Sequence, residues 1–128
     1  IESTVSFISQ ISGVRTALIV KQREIASSGS IVMVGRDIGT RVLKYAGIKV
    51  FLTASTNERA KRRLSQALEI NPDITLKIVK TDLERRDLID SQNKESPLRP
   101  ADDSVIINTD NMEIDEVVQK IMQRLITK

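Results

Sequence analysis

The run Ile31-Val32-Met33-Val34 constrains the fold more than any other stretch of this chain. Consecutive apolar residues, mostly β-branched, predict a strand buried on both faces, the kind found in the middle of a parallel sheet. The run stops at Gly35, and Arg36-Asp37-Ile38-Gly39-Thr40 follows at once. Gly39 and Thr40 allow a tight change of direction. In open α/β sheets, ligands bind just beyond the carboxyl ends of the strands, so Arg36 and Asp37 stand where a ligand is met. A guanidinium suits a phosphate, and a carboxylate suits hydroxyl or amino donors. An equally weighted reading is that the two residues solvate a strand end or pair with neighbours.

At 128 residues the chain suits one modest domain, and 40% hydrophobic content permits a real core. Aromatics are only 2%, so that core is aliphatic and base-stacking platforms are disfavoured. A net charge of +3 and a pI near 9.4 are compatible with anionic small molecules and are weak support for nucleic acid. The chain has no Cys and no His. Disulfides, thiolate chemistry, the usual zinc sites and any His-based triad are therefore excluded. The lack of Cys is compatible with a cytoplasmic location. No signal peptide and no bilayer-spanning apolar run is found. The first residue is Ile1 rather than Met, which leads us to expect a processing or fragment boundary there.

Helical spacing of Val5, Ile8 and Ile11 predicts a helix over residues 5–11. Ser12 is a candidate cap for a second helix over 14–26, with Val14, Ala17, Leu18 and Ile25 on its inner stripe. Ser27-Ser28-Gly29-Ser30 should stop it. A second strand is expected over 48–53, with Lys49 near an edge. Ser55 or Thr56 should cap a helix running to about 70, broken by Asn71-Pro72-Asp73. Residues 75–90 read as a polar helix with Leu76, Val79 and Leu83 on one side. A third strand is expected over 104–109. The closing amphipathic helix, 112–126, has Ile114, Val117, Val118, Ile121, Met122 and Leu125 facing inward. Strands joined by helical connections predict an α/β fold with a parallel sheet. Residues 60–100 are less apolar and read as a mobile excursion from the core rather than a second domain.

Two charged clusters could carry chemistry. Arg59, Lys61, Arg62 and Arg63 could hold a polyphosphate; on charge alone a solvated helix face is the better reading. Arg86 and Asp90 are four apart and share a face, so they could grip a sugar-phosphate, but an ordinary surface ion pair is favoured by the residues alone. Periodicity gives Ser6 and Arg15 no role.

These residues nevertheless carry a family likeness. Gly35-Arg36-Asp37-Ile38-Gly39-Thr40, then Lys49-Val50-Phe51-Leu52-Thr53-Ala54-Ser55 with Glu58-Arg59-Ala60 and Arg62-Arg63, resembles bacterial cytidylate kinase. So does Arg86-Asp87 with Asp90-Ser91, followed by Ser96-Pro97-Leu98-Arg99-Pro100-Ala101-Asp102-Asp103. The likeness runs from about Val5 to the end. It implies an incomplete α/β nucleoside monophosphate kinase fold with three strands, flanking helices and a helical lid over about 60–100. The implied reaction is transfer of a phosphoryl group from ATP, with Mg2+, to CMP or dCMP. By position, Ser6, Arg15 and Asp37 would contact cytosine, and Arg36 would hold the CMP phosphate. Arg86 and Asp90 would hold ribose hydroxyls or the phosphate end, with Arg36 and Arg86 as the catalytic pair. Arg62, Arg63 and Lys94 would face ATP. The implied partners are these nucleotides, not nucleic acid or membrane, with no resident metal and a cytoplasmic, monomeric parent. Phosphoryl transfer needs mostly positioning and charge neutralisation, so an arginine-rich site fits.

The chain departs from the family pattern twice. Nothing in it matches Gly-x-x-x-x-Gly-Lys-[Ser/Thr], the loop that cradles ATP. The resemblance therefore implies a carboxyl-terminal part, inactive alone, whose sheet lacks the strands that lie beside residues 31–34 and whose exposed edge invites self-association. Asn93 also stands where the family usually has a lid arginine; the adjacent Lys94 could reach a phosphate but lacks the bidentate fork. A non-catalytic pyrimidine nucleotide-binding piece and, less favoured, a basic nucleic-acid-binding module are the alternatives.

Overall fold

The computed structural model describes residues 11–92 and 97–126. The expected helix over 5–11 falls almost wholly outside that range, as do Ser6, Asn93 and Lys94. Helix α1 is Ser12–Ser27. Its N-cap is Ile11, with no side-chain cap. Ser12, expected as the cap, is instead the first helical residue, and its carbonyl accepts from Thr16 Oγ1 at 3.0 Å. The helix stops where expected. The Ser28 amide donates to Ile25 O, and Gly29 takes a positive φ of 156° that a side chain would strain.

Residues 31–34 are not a buried strand. They join no sheet, and Val32 and Val34 are 91% and 92% exposed. The described residues supply no neighbouring strand to complete a ladder and no layer to cover either face. A β-branched run states a preference for such cover, but it cannot provide it. After this segment a π-helical turn, Ile38–Val42, reverses the chain.

The described sheet therefore has two strands rather than three. Strand β1, Val50–Thr53, pairs in parallel with β2, Val105–Asn108, in the register Val50 to Val105 through Thr53 to Asn108. The ladder is extended by Val105 N donating to Lys49 O at 2.9 Å and Thr109 N donating to Thr53 O at 2.8 Å. The intervening chain forms α2, Thr56–Leu68, and α3, Leu76–Gln92. Ser55 caps α2, its hydroxyl accepting from Glu58 N at 3.2 Å. This matches the expected α/β class, with helices flanking a parallel sheet.

The core is thin and divided. Ala60 of α2 and Val79 of α3 are buried in the two helices that pack on each other, Ile19 of α1 and Val42 of the π turn are buried in elements that also meet, and Ile107 is buried in β2. Burying each large aliphatic chain contributes about 1.5–3 kcal/mol. Ile19, not the expected Leu18 and Ile25, is the buried residue of α1; those two remain about half exposed. The closing helix α4, Ile114–Ile126, keeps its apolar face largely open, with Ile114 80% exposed. Both departures have one cause: the amphipathic stripes exist, but the described chain has too little surface to cover them.

Candidate functional site

The Gly35–Gly39 segment is held between two helices. Asp37 is buried, and its carboxylate pairs with the Arg15 guanidinium of α1. Arg36, its sequence neighbour, turns the other way and pairs with Asp90 of α3. Asp90 Oδ2 is buried against that guanidinium. Two adjacent residues thus tie the loop to α1 and to α3.

Backbone geometry makes this possible. The Asp37 carbonyl accepts from Arg41 N at 2.8 Å and from Val42 N at 3.2 Å, which opens the π turn and fixes the Asp37 main chain. Gly35 permits a close approach: a Cβ there would lie 2.9 Å from Ile38 Cγ1. Arg23 of α1 secures the far end of the turn, donating from Nε to Val42 O at 2.8 Å and from Nη2 to Arg41 O at 2.9 Å. Sequence reasoning missed Arg23. Its signal was the i, i+4, i+8 series Arg15, Ile19, Arg23, which puts one cation on either side of the buried residue of α1.

A second group of side chains gathers at the carboxyl ends of the strands. Arg59 makes a bidentate pair with Asp87, Nη1 to Oδ1 at 2.9 Å and Nη2 to Oδ2 at 2.6 Å. It also donates to Ala54 O and Thr56 Oγ1, both at 3.2 Å. The Asp87 contact raises the Arg59 pKa above its ordinary value. Arg62 reaches the buried Thr109, donating to its carbonyl at 2.6 Å and its hydroxyl at 3.0 Å, and also contacts Glu58. Arg63 donates to Gln66 at 3.0 Å. Asp110 accepts from Ser55 N at 2.8 Å, and this backbone bond holds its carboxyl below the usual value. Arg86 lies exposed on α3, one turn before Asp90.

The sequence-predicted residues therefore fall into two places. Arg15, Arg36, Asp37 and Asp90 are brought together through the loop, with Arg86 on the same helix as Asp90. Arg62 is directed to the end of β2. A hollow of about 360 Å³ lined by Lys49, Asp103 and Arg124 lies at the amino ends of the strands and contains none of the predicted site residues. Among the described residues, no group of three or more His, Cys, Asp or Glu could hold a metal ion, and no helix is long and apolar enough to cross a membrane.

The family model for cytidylate kinase matches residues 1–127. The chain belongs to the cytidylate kinase family. Among its relatives, the cytidylate kinase of Desulforamulus reducens is 45% identical over 122 residues, covering 95% of this chain and 55% of the relative. That of Lactiplantibacillus plantarum is 46% identical over all 128 residues, or 56% of the relative. That of Bacillus licheniformis is 40% identical over 123 residues, 96% of this chain and 54% of the relative. The chain thus spans about half the length of the curated cytidylate kinases it matches.

Proposed function

We propose that this chain is part of a cytidylate kinase whose complete polypeptide transfers the γ-phosphoryl group of ATP to CMP or dCMP. The observation that carries the reading is the placement of Arg15, Arg36, Asp37 and Asp90 on one loop and the two helices it joins. The Arg15–Asp37 pair offers a donor beside an acceptor. Cytosine has the complementary edge: an exocyclic amino group for Asp37 and ring acceptors for Arg15. Uracil carries a carbonyl where cytosine has the amino group, so Asp37 would face a like dipole. Arg36 would take the phosphate, with Arg86 and Asp90 at the ribose or phosphate end. Ser6 is assigned to the cytosine by position in the family pattern.

On the ATP side, Arg63 and Lys94 are the cations we assign to the phosphates. Arg62 would first have to leave Thr109. Mg2+ is taken to arrive with ATP. The α2–α3 hairpin is the proposed lid within residues 60–100, in a cytoplasmic enzyme that is monomeric when complete. The exposed Val32 and Val34 give isolated copies a reason to associate.

Titration of the chain with CMP, UMP and AMP, followed by amide NMR, tests the reading. CMP should bind selectively, and Asp37→Asn should weaken CMP about tenfold or more, the size expected when a charged hydrogen bond is lost. Equal responses to all three nucleotides, or none at millimolar CMP, would overturn it. With no Gly-x-x-x-x-Gly-Lys-[Ser/Thr] loop in the sequence, CMP and ATP incubated with these residues alone should yield no CDP.

A further inference from the structure

Arg23 of α1 lies eight residues along the helix from Arg15 and grips the far end of the turn that Asp37 opens. Its donors fall on two particular oxygens. Nη2 donates to Arg41 O at 2.9 Å, and Nε donates to Val42 O at 2.8 Å. Each oxygen belongs to a peptide group whose own N–H points back to the start of the turn. The Arg41–Val42 peptide donates its N–H to Asp37 O at 3.2 Å, and the Val42–Leu43 peptide donates its N–H to Ile38 O at 2.7 Å. We propose that Arg23 is a positioning residue for base selection: through these two peptide planes it fixes the Asp37 main chain, and so the direction in which the Asp37 carboxylate meets Arg15 and a nucleobase. The inference rests on the function proposed above, and adds to it a residue that acts through the backbone rather than on the ligand.

The relay follows from peptide geometry. A peptide group is planar and stiff, so holding its oxygen also aims its N–H. Two held oxygens aim two successive N–H groups. A charged donor on a carbonyl also polarises the amide across the same plane, which strengthens the bond made by its N–H. Asp37 has φ −124° and ψ 21°, outside the regular helical and strand regions, so its backbone is set by these partners rather than by a repeating ladder. Asp37 is buried, which leaves its carboxylate few other directions once the main chain is fixed. Arg15 and Arg23 thus hold the turn from one helix at both ends, the first through the Asp37 side chain and the second through the main chain at Arg41 and Val42. A lysine can fill one of the two places that Arg23 fills but lacks the planar fork that fills both.

Arg23→Met removes the donors and keeps most of the apolar stem. Lys21→Met, the same charge change at the exposed Lys21–Glu24 pair of α1, is the control. CMP and UMP are titrated into each chain. Arg23→Met should lower the preference for CMP over UMP by about three- to tenfold, the size of one net hydrogen bond, by weakening CMP and leaving UMP unchanged. Lys21→Met should keep the wild-type preference. With no nucleotide present, the Val42 and Leu43 amides should exchange hydrogen faster in Arg23→Met while the Ile19 amide keeps its rate. A role confined to stability predicts the reverse: faster exchange at Ile19 as well, with the nucleotide preference intact. Arg23→Lys serves if Arg23→Met does not fold, and should show the same changes in smaller measure. A folded Arg23 variant with the wild-type preference, or with unchanged exchange at Val42 and Leu43, would overturn the positioning role while the CMP preference of the wild type left the functional assignment standing. A wild-type chain without that preference would overturn both.

Discussion

Arg59 of α2 and Asp87 of α3 meet through two parallel hydrogen bonds, at 2.9 and 2.6 Å, one turn before Asp90. The pair ties the two helices together one turn before the residue that meets Arg36. Lysine at position 59 keeps the charge but loses the fork and the bonds to Ala54 O and Thr56 Oγ1. Arg59→Lys should therefore destabilise the chain by about 1 kcal/mol, a figure already discounted because a third or more of each side chain meets solvent. Urea denaturation measures it. A midpoint equal to wild type would mean that the fork contributes nothing a lysine does not.

The Thr109 carbonyl, in a residue 5% exposed, accepts from Arg62 at 2.6 Å. The same carbonyl also accepts from Met112 N at 3.2 Å, so removing the guanidinium takes away one of its two donors at a cost of about 0.5–1.5 kcal/mol. Arg62→Ala should accordingly speed hydrogen exchange of the Thr109 amide, which donates to Thr53 O at 2.8 Å. Exchange in the middle of α1 should stay as it is, because Arg62 does not touch that helix. Equal acceleration at both places would point to global loosening rather than a local pin.

Asp110 has its carboxyl held below the ordinary 3.8, chiefly by the Ser55 amide, with the Arg62 charge adding in the same direction. The unfolded chain therefore takes up this proton first as the pH falls. Asp110 contributes its full stabilisation above the unfolded value. That contribution is lost as the pH drops through the lower, folded one. Asp110→Asn should flatten the stability curve between roughly pH 5 and roughly pH 2. Parallel curves for wild type and variant across that range would contradict the assignment.

Much of the fold was legible because its signals are local. The Ser55 cap, the Ser28–Gly29 stop and the strands at 50–53 and 105–108 each follow from residues a few positions apart. What misled was the dependence of burial on other chain. The 31–34 run and the inner stripe of α4 describe surfaces that want cover, and a pattern cannot say whether cover is at hand. The site divides in the same way. Arg36 and Asp37 were found by their place after an apolar run, whereas Arg15 needed the family likeness, because its partner lies 22 residues away. Arg23 and the Arg59–Asp87 pair escaped because surface arginines on helices look alike until the tertiary fold gives them partners.

Neighbouring residues that answer to different helices make one peptide bond the shortest mechanical route between α1 and α3. Rotating that peptide to relieve one grip must tighten or loosen the other. A substitution at Arg15 on the first helix should therefore also be felt at the contact between Arg36 and Asp90.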